Sequence, residues 1–272
     1  MLIDLSPLKA NRDFRYVYAG QFISFFGTML TYVAIPFQVY QLTNSTLMVG
    51  LLGIAELLPL VLTAFIGGAL ADVMDKKKLL ISCEIGMTLG CFVLLGNSLL
   101  PHPYLWLMFI VAALMSALSG LHRPSLDALM PRTVSHHEIQ AASILVSLKG
   151  NIGFIGGPAV AGLCIAYFGV PWTFALDCCT FIISIAALSQ INNYKVAGEQ
   201  ERISLNSIKE AIQYAFSRQE LLGTYVIDFM AMVLAMPNAL FPAIAQLHGG
   251  TKILGWLYAA PAAGSLIVTV LS

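Results

Sequence analysis

Four ionisable residues stand inside long apolar stretches of this sequence: Glu56, Lys149, Asp177 and Asp228. A charge at the centre of a bilayer helix costs about 2.5–3.5 kcal/mol on insertion scales, so such groups pair with one another or line a water-accessible path for ions or protons. Glu56 and Asp177 are the expected proton- or substrate-contacting groups, with Lys149 and Asp228 as further candidates. Each would serve equally as a structural partner, Lys149 for a carboxylate on another helix. Enzyme chemistry finds no foothold, because no Ser–His–Asp or zinc-type set recurs at useful spacing. The adjacent His136 and His137 would project from different sides of a helix and have no third ligand nearby, so they read as solvated loop residues. Neither a metal nor a cofactor is expected.

Four short patterns accompany these groups. Gly153, Gly157 and Ala161 are four residues apart and lie along one helix face, which suits close helix packing; Gly162 extends the small-residue set, and Pro158 removes a backbone donor and invites a bend. Arg123 and Asp127, also four apart, can form an ion pair. Ser135 and Glu138 make a capping box that opens the following helix. The polar knot running from Gly67 and Gly68 through Asp72 to Lys76, Lys77 and Lys78 combines small residues for close approach, a carboxylate able to face a helix N-terminus, and lysines suited to lipid headgroups. On these grounds alone it is a stop-transfer signal.

The elements that must position these residues follow from composition. Of 272 residues, 58% are hydrophobic and 10% charged, and the mean hydropathy is +0.81. That leaves too little polar surface to cover a soluble globule. Net charge is zero, so nothing favours nucleic acid as a partner. Windows of about 20 apolar residues, the length that crosses a bilayer core, fall at Tyr16–Tyr40, Leu47–Ala71, Leu79–Leu99, Tyr104–Leu126, Ile144–Phe168, Pro171–Ile191, Leu221–Leu247 and Ile253–Leu271. The expected class is all-α and transmembrane, with the lipid bilayer as its solvent.

Loop charge orients these windows. Lys9, Arg12 and Arg15, then Lys76–Lys78, Arg123 and Arg132, and finally Lys195, Arg202, Lys209 and Arg218 fall on one side, against Lys252 alone on the other. Basic loops stay in the cytoplasm, so the N-terminus is expected there. No small-residue cleavage site follows the first apolar run, which argues for an uncleaved span. Five cysteines in apolar runs, an odd number without metal-type spacing, read as small core- or lipid-facing residues.

The expected organisation is a six-helix block over 1–192, a cytoplasmic linker over 193–220 and an incomplete second block over 221–272. In the linker, Leu205, Ile208, Ile212 and Ala215 recur at helical spacing, which fits either an amphipathic surface helix or a solvated linker. Four further spans would complete a two-block carrier, so a truncated chain is expected.

The motifs resemble the major facilitator superfamily, specifically its exporter branch of enterobactin exporters and macrolide efflux proteins. The knot from Gly68 to Lys78 resembles that family's cytoplasmic latch loop between helices two and three, with Val73 where arginine and Asp75 where glycine are usual. The run Gly153-x-x-x-Gly157–Pro158-x-x-Ala161–Gly162 resembles its antiporter motif. The likeness extends from Leu5 to the end of the chain, through Phe14–Arg15 and Leu257–Tyr258–Ala259–Ala260. It implies a secondary active transporter of the inner membrane, no enzyme, whose six-helix bundles rock about a cavity to export a small molecule, a siderophore or a drug, at the expense of the proton gradient. A complementing C-terminal half would be its partner. A channel would need a symmetric filter, which the sequence lacks; the other reading is a non-transporting remnant or membrane assembly partner. If the lysine triplet is cytoplasmic, an impermeant amine reagent applied to intact cells should leave Lys77 unmodified, and its labelling from outside would invert the topology.

Overall fold

The computed structural model describes residues 4–193, 217–219, 222–224, 226–227, 230 and 237–271, apart from the side chains of 65–66, 68–73 and 265–271. Every regular element among the described residues is helical. A short α1 (Ser6–Ala10) leads into α2 (Arg12–Thr43), followed by α3 (Thr46–Val73), α4 (Lys76–Ser98), α5 (Leu105–Leu129), α6 (Ile139–Phe168) and α7 (Val170–Ser189). After a 3-10 turn at Asn238–Leu240 come α8 (Phe241–His248) and α9 (Thr251–Leu271). Six helices among the described residues, α2 to α7, are long and apolar enough to cross a membrane. Contacts join Met1–Val196 and Ala239–Ser272 into one compact unit, with Ala197–Asn238 as a second. In the second unit the described residues are mainly helical, and Leu222 N–H donates to Arg218 O at 3.0 Å. The amphipathic stretch Leu205–Ala215, Asp228 and, within the span expected at Leu221–Leu247, residues 221, 225, 228–229 and 231–236 lie outside the described residues.

Two of the connections at one end of the first unit, α2 to α3 and α6 to α7, are nearly as short as chain geometry permits. Asn44 takes the left-handed conformation, φ 49°, and its N–H bonds to Tyr40 O at 2.7 Å, ending α2. Asparagine tolerates that geometry better than other side chains. Ser45 Oγ then accepts from Met48 N–H at 3.4 Å in the first turn of α3. Between α6 and α7 stands one residue, Gly169, at φ 86°, where a side chain would be strained. The turn from α4 to α5 is closed by Asn97, which donates to Tyr104 O at 3.2 Å and accepts from Tyr104 N–H at 2.8 Å.

The opposite end is held by side chains reaching between distant helices. Asp13 Oδ2 accepts from both the backbone and the side-chain nitrogens of Asn192 at 3.0 Å. Asn11 donates to Glu138 Oε2 at 2.7 Å, and the same carboxylate accepts from Ser135 N–H at 3.2 Å, as the capping box requires. The lysine triplet divides its labour. Lys77 Nζ donates to Ser189 O and Ile191 O at 2.9 and 2.6 Å, satisfying carbonyls at the end of α7. Lys78 is exposed, whereas Lys76, expected at the headgroups, is only 2% exposed. Asp75, standing where the family pattern has glycine, accepts from Lys78 N–H at 3.2 Å and caps α4.

Packing between the helices runs through small residues. A Cβ on Gly162 of α6 would lie 2.7 Å from Thr251 O and 2.8 Å from Gly255 Cα, and one on Gly255 of α9 would lie 2.6 Å from Pro158 O. The two backbones therefore touch directly. Gly157 meets Met29, and Gly153 fits against the Phe25 ring, so the expected stripe serves two neighbours, α2 and α9. Ala161 on the same stripe is completely buried. Gly67 of α3 and Gly120 of α5 make a second such contact, where a Cβ on Gly67 would sit 2.8 Å from Gly120 O. The helix α6 runs without interruption through Pro158. On α3, Leu51, Ile54, Leu58 and Leu62 are exposed, as lipid-facing residues are.

Gly162→Val should force α6 and α9 apart and cost about 1–3 kcal/mol, the usual range for overpacking. A lowered unfolding temperature in detergent checks it, with Gly96→Val as the comparison, since a Cβ there meets nothing within 4 Å.

Candidate functional site: a cavity among the membrane helices

A cavity of about 820 Å³ opens between α2, α3, α5 and α6. Four sequence candidates reach it: Glu56 from α3, Arg123 and Asp127 from α5, and Lys149 from α6. Aromatic walls come from Phe25 and Tyr32 of α2 and Phe154 of α6, and Phe25 and Phe154 meet edge to face with ring centroids 5.2 Å apart. Small hydroxyls, Ser24, Thr28, Ser116 and Ser119, supply polar points between them. The mixture suits an amphipathic molecule, with apolar faces for its body and few fixed charges to orient it.

The charged residues do not pair as expected. Arg123 and Asp127 line the same cavity, but no ion pair within 4 Å joins them, because both are turned to the cavity rather than along the helix surface. Among the described residues Lys149 finds no carboxylate on a neighbouring helix within 4 Å. Its ammonium lies over the Phe25 ring, 5.7 Å from the centroid, with the charges of Arg123 and Asp127 acting on it from α5. A cation over an aromatic face keeps partial stabilisation without losing its charge to a salt bridge. Lys149 is 7% exposed, so cationic potential is concentrated in an enclosed, low-dielectric place. Glu56 is half-buried and acts electrostatically on Tyr32 and Tyr258, whose rings meet edge to face at 5.5 Å.

Asp177 sits elsewhere. It is completely buried in α7 and is absent from the cavity wall. Its carboxylate accepts from Thr31 Oγ1 at 2.5 Å, Cys91 Sγ at 3.3 Å and Thr180 Oγ1 at 3.1 Å, a set that holds a charge in place and ties α2, α4 and α7 together. The side chains of Gly68 and Asp72 lie outside the described residues, as does Asp228. Among the described residues no cluster of three or more His, Cys, Asp or Glu could hold a metal ion.

Sequence reasoning missed Glu84 and His122. Glu84, completely buried in α4, accepts at Oε1 from Gln21 Nε2 of α2 at 2.6 Å and from Ser184 Oγ of α7 at 2.8 Å. His122 of α5 brings Nε2 to 3.4 Å from the same oxygen and itself lines the cavity. The signal was present, since Glu84 falls inside the apolar window Leu79–Leu99. It stands six residues past Lys78, close enough to the basic cluster to pass for a boundary residue.

With this geometry in place, the sequence profile of the transmembrane secretion effectors matches residues 3–272. The chain belongs to that family, within the major facilitator superfamily. Enterobactin exporters of Citrobacter koseri and Shigella dysenteriae serotype 1 are each 26% identical to it over 267 residues, covering 98% of this chain and 64% of theirs. The chain thus spans somewhat less than two thirds of the length of these curated relatives. A crystal structure of an auto-inhibited POT family peptide transporter superposes with a TM-score of 0.57 at 13% identity, over 93% of this chain and 54% of that one, and so shares the fold. Membership makes this an all-α, multi-pass membrane protein of a transport family rather than an enzyme.

Removing one donor from a buried carboxylate leaves its charge poorly solvated. Thr31→Val should therefore lower stability by about 1.5–3 kcal/mol, read as a drop in the unfolding temperature. An unchanged midpoint would show that Asp177 is carried without a charge.

Proposed function

We propose that this chain supplies the N-terminal, cavity-forming part of a carrier that exports a small amphipathic molecule across the inner membrane. The observation that carries this reading is the cavity of about 820 Å³ in which Lys149, only 7% exposed, lies over the Phe25 ring without an ion pair within 4 Å among the described residues, with the exposed Arg123 on the same wall. A cation held that way costs stability unless something anionic visits it. A siderophore of the enterobactin kind is the favoured cargo, supported by the names of the relatives, with amphipathic drugs second. A volume of this size lies within the range of small-molecule sites.

Export proceeds by alternating access and draws on the proton gradient. Glu56, set on the cavity wall beside Tyr32, is the carboxylate placed to meet both water and cargo. Asp177, tied by three donors, positions helices instead. Close contacts at Gly153, Gly157 and Gly162 let α6 slide or tilt against α2 and α9 without interlocking long side chains. The knot at Asp72–Lys78 works as a latch at the cytoplasmic end, where Lys77 already fastens α4 to α7. A C-terminal half completes the carrier. The N-terminus is cytoplasmic, in keeping with Lys9, Arg12, Arg15 and Lys76–Lys78 at one end and only Lys252, over the Tyr167 ring at 4.9 Å, at the other.

Titration calorimetry of the detergent-purified chain against iron-free enterobactin and against erythromycin tests the cargo. Binding of enterobactin should weaken at least tenfold in Lys149→Met, while that of erythromycin, whose tertiary amine is cationic at neutral pH, should not weaken. Equal loss for both, or no binding of either, would remove the cationic cavity from recognition. In vesicles carrying the chain with its complementing half, Glu56→Gln should abolish pH-gradient-driven efflux with expression intact, and unchanged efflux would exclude Glu56 from coupling.

A further inference from the structure

We propose that Glu84 and His122 form a proton-binding site between α4 and α5, reached from the central cavity through the His122 ring. Glu84 is fully enclosed, yet only one of its oxygens is engaged. Oε1 receives Gln21 Nε2 and Ser184 Oγ, whereas Oε2 has no hydrogen-bond partner among the described residues. His122 Nε2, also without a hydrogen-bond partner there, stands 3.4 Å from Oε1. At that distance in a dry interior an imidazole lone pair would repel the carboxylate oxygen, a requirement that favours the tautomer with its proton on Nε2.

That requirement fixes the chemistry. In the empty state His122 is the neutral Nε2–H tautomer beside an ionised Glu84, and the pair carries one negative charge. Taking up a proton from cavity water at Nδ1 gives imidazolium and carboxylate, and the pair becomes neutral; no other bond changes. The His122 side chain is 13% exposed and lines the cavity, while Glu84 does not, so exchange with water passes through the imidazole.

The surroundings let one proton dominate the local charge. On its own helix Glu84 has the thiol of Cys83 beside it; α5 brings His122 and, next along the cavity, Arg123; α2 and α7 present the neutral Gln21 and Ser184. Asp177 lies two turns further along α7, occupied by its own three donors. Protonation therefore neutralises the pair as a whole while Glu84 stays a carboxylate, so the amide of Gln21 and the hydroxyl of Ser184, the groups binding α2 and α7 to α4, keep their acceptor. Gln21 also donates to Ser184 Oγ at 3.2 Å, so α2 and α7 stay connected whichever state holds. Any use of this proton in coupled export rests on the transport reading above; its binding does not.

The test is histidine ¹⁵N NMR on the full chain in detergent micelles across about pH 5 to about pH 9, the range over which imidazole titrates. His122 is identified by the resonance missing in His122→Gln. Nε2 should keep its proton throughout while Nδ1 gains and loses one. Glu84→Gln, which preserves an acceptor for Gln21 and Ser184 but removes the anion, should lower the proton affinity of His122 at least tenfold. A midpoint unmoved by Glu84→Gln overturns the site, as does a neutral form carrying its proton on Nδ1. The second criterion is read in the unsubstituted chain and decides the matter even if Glu84→Gln does not fold. Cargo binding plays no part in the measurement, so failure here and failure of the export reading are separable.

Discussion

Backbone contact at glycine is the constraint on which this structure depends. Within lipid, burying leucine against leucine gains little over burying it against an acyl chain, so helices must be held by close van der Waals approach and by polar contacts. Gly162 against Gly255 and Gly67 against Gly120 provide the first kind, each with carbonyl oxygens where a side chain would otherwise stand. Gly153 and Gly157 extend the contact of α6 to α2. The cavity exists because these seams draw the helices together at some faces while Phe25, Tyr32 and Phe154 hold them apart at others.

Polar contacts provide the second kind, and they are graded along the helices. At one end Asp13, Glu138 and Lys77 join helix termini through groups in contact with the aqueous boundary. Deeper, Glu84 gathers Gln21 and Ser184, and deeper still Asp177 gathers Thr31, Cys91 and Thr180. Both inner carboxylates link α2, α4 and α7, which places these three helices on one polar axis. The groups on the cavity side, Glu56, Arg123, Asp127 and Lys149, make no ion pair with one another. Asp177 is thus engaged at both oxygens and Glu84 at one, while the cavity charges are left available.

Fold class and the positions of the first six spans were legible because bilayer thickness imposes a length and a composition that any single sequence displays. The capping box at Ser135–Glu138 and the stripe Gly153–Gly157–Ala161 were legible for a similar reason, being local in sequence. Pairings were harder. Arg123 and Asp127 have the spacing of an ion pair, yet which way each side chain turns depends on the cavity beside them, and no spacing rule contains the cavity. Glu84 owes its role to Gln21 and Ser184, 63 and 100 residues away, a relation that periodicity cannot express. Lys76 became buried and Asp75 became a helix cap because the chain must restart a helix at once, which the count of positive charges does not convey.

The single residue between α6 and α7 has a mechanical consequence. With only Gly169 joining them, the adjoining ends of a 30-residue and a 20-residue helix cannot separate by more than two peptide units, about 7 Å. Rotation at the joint remains possible, so the two helices behave as arms of a compass whose pivot lies at one face of the membrane. A small angular change there is magnified along the longer arm, and its greatest travel falls at the far tip, where Ser135, Glu138 and Asn11 close the clasp.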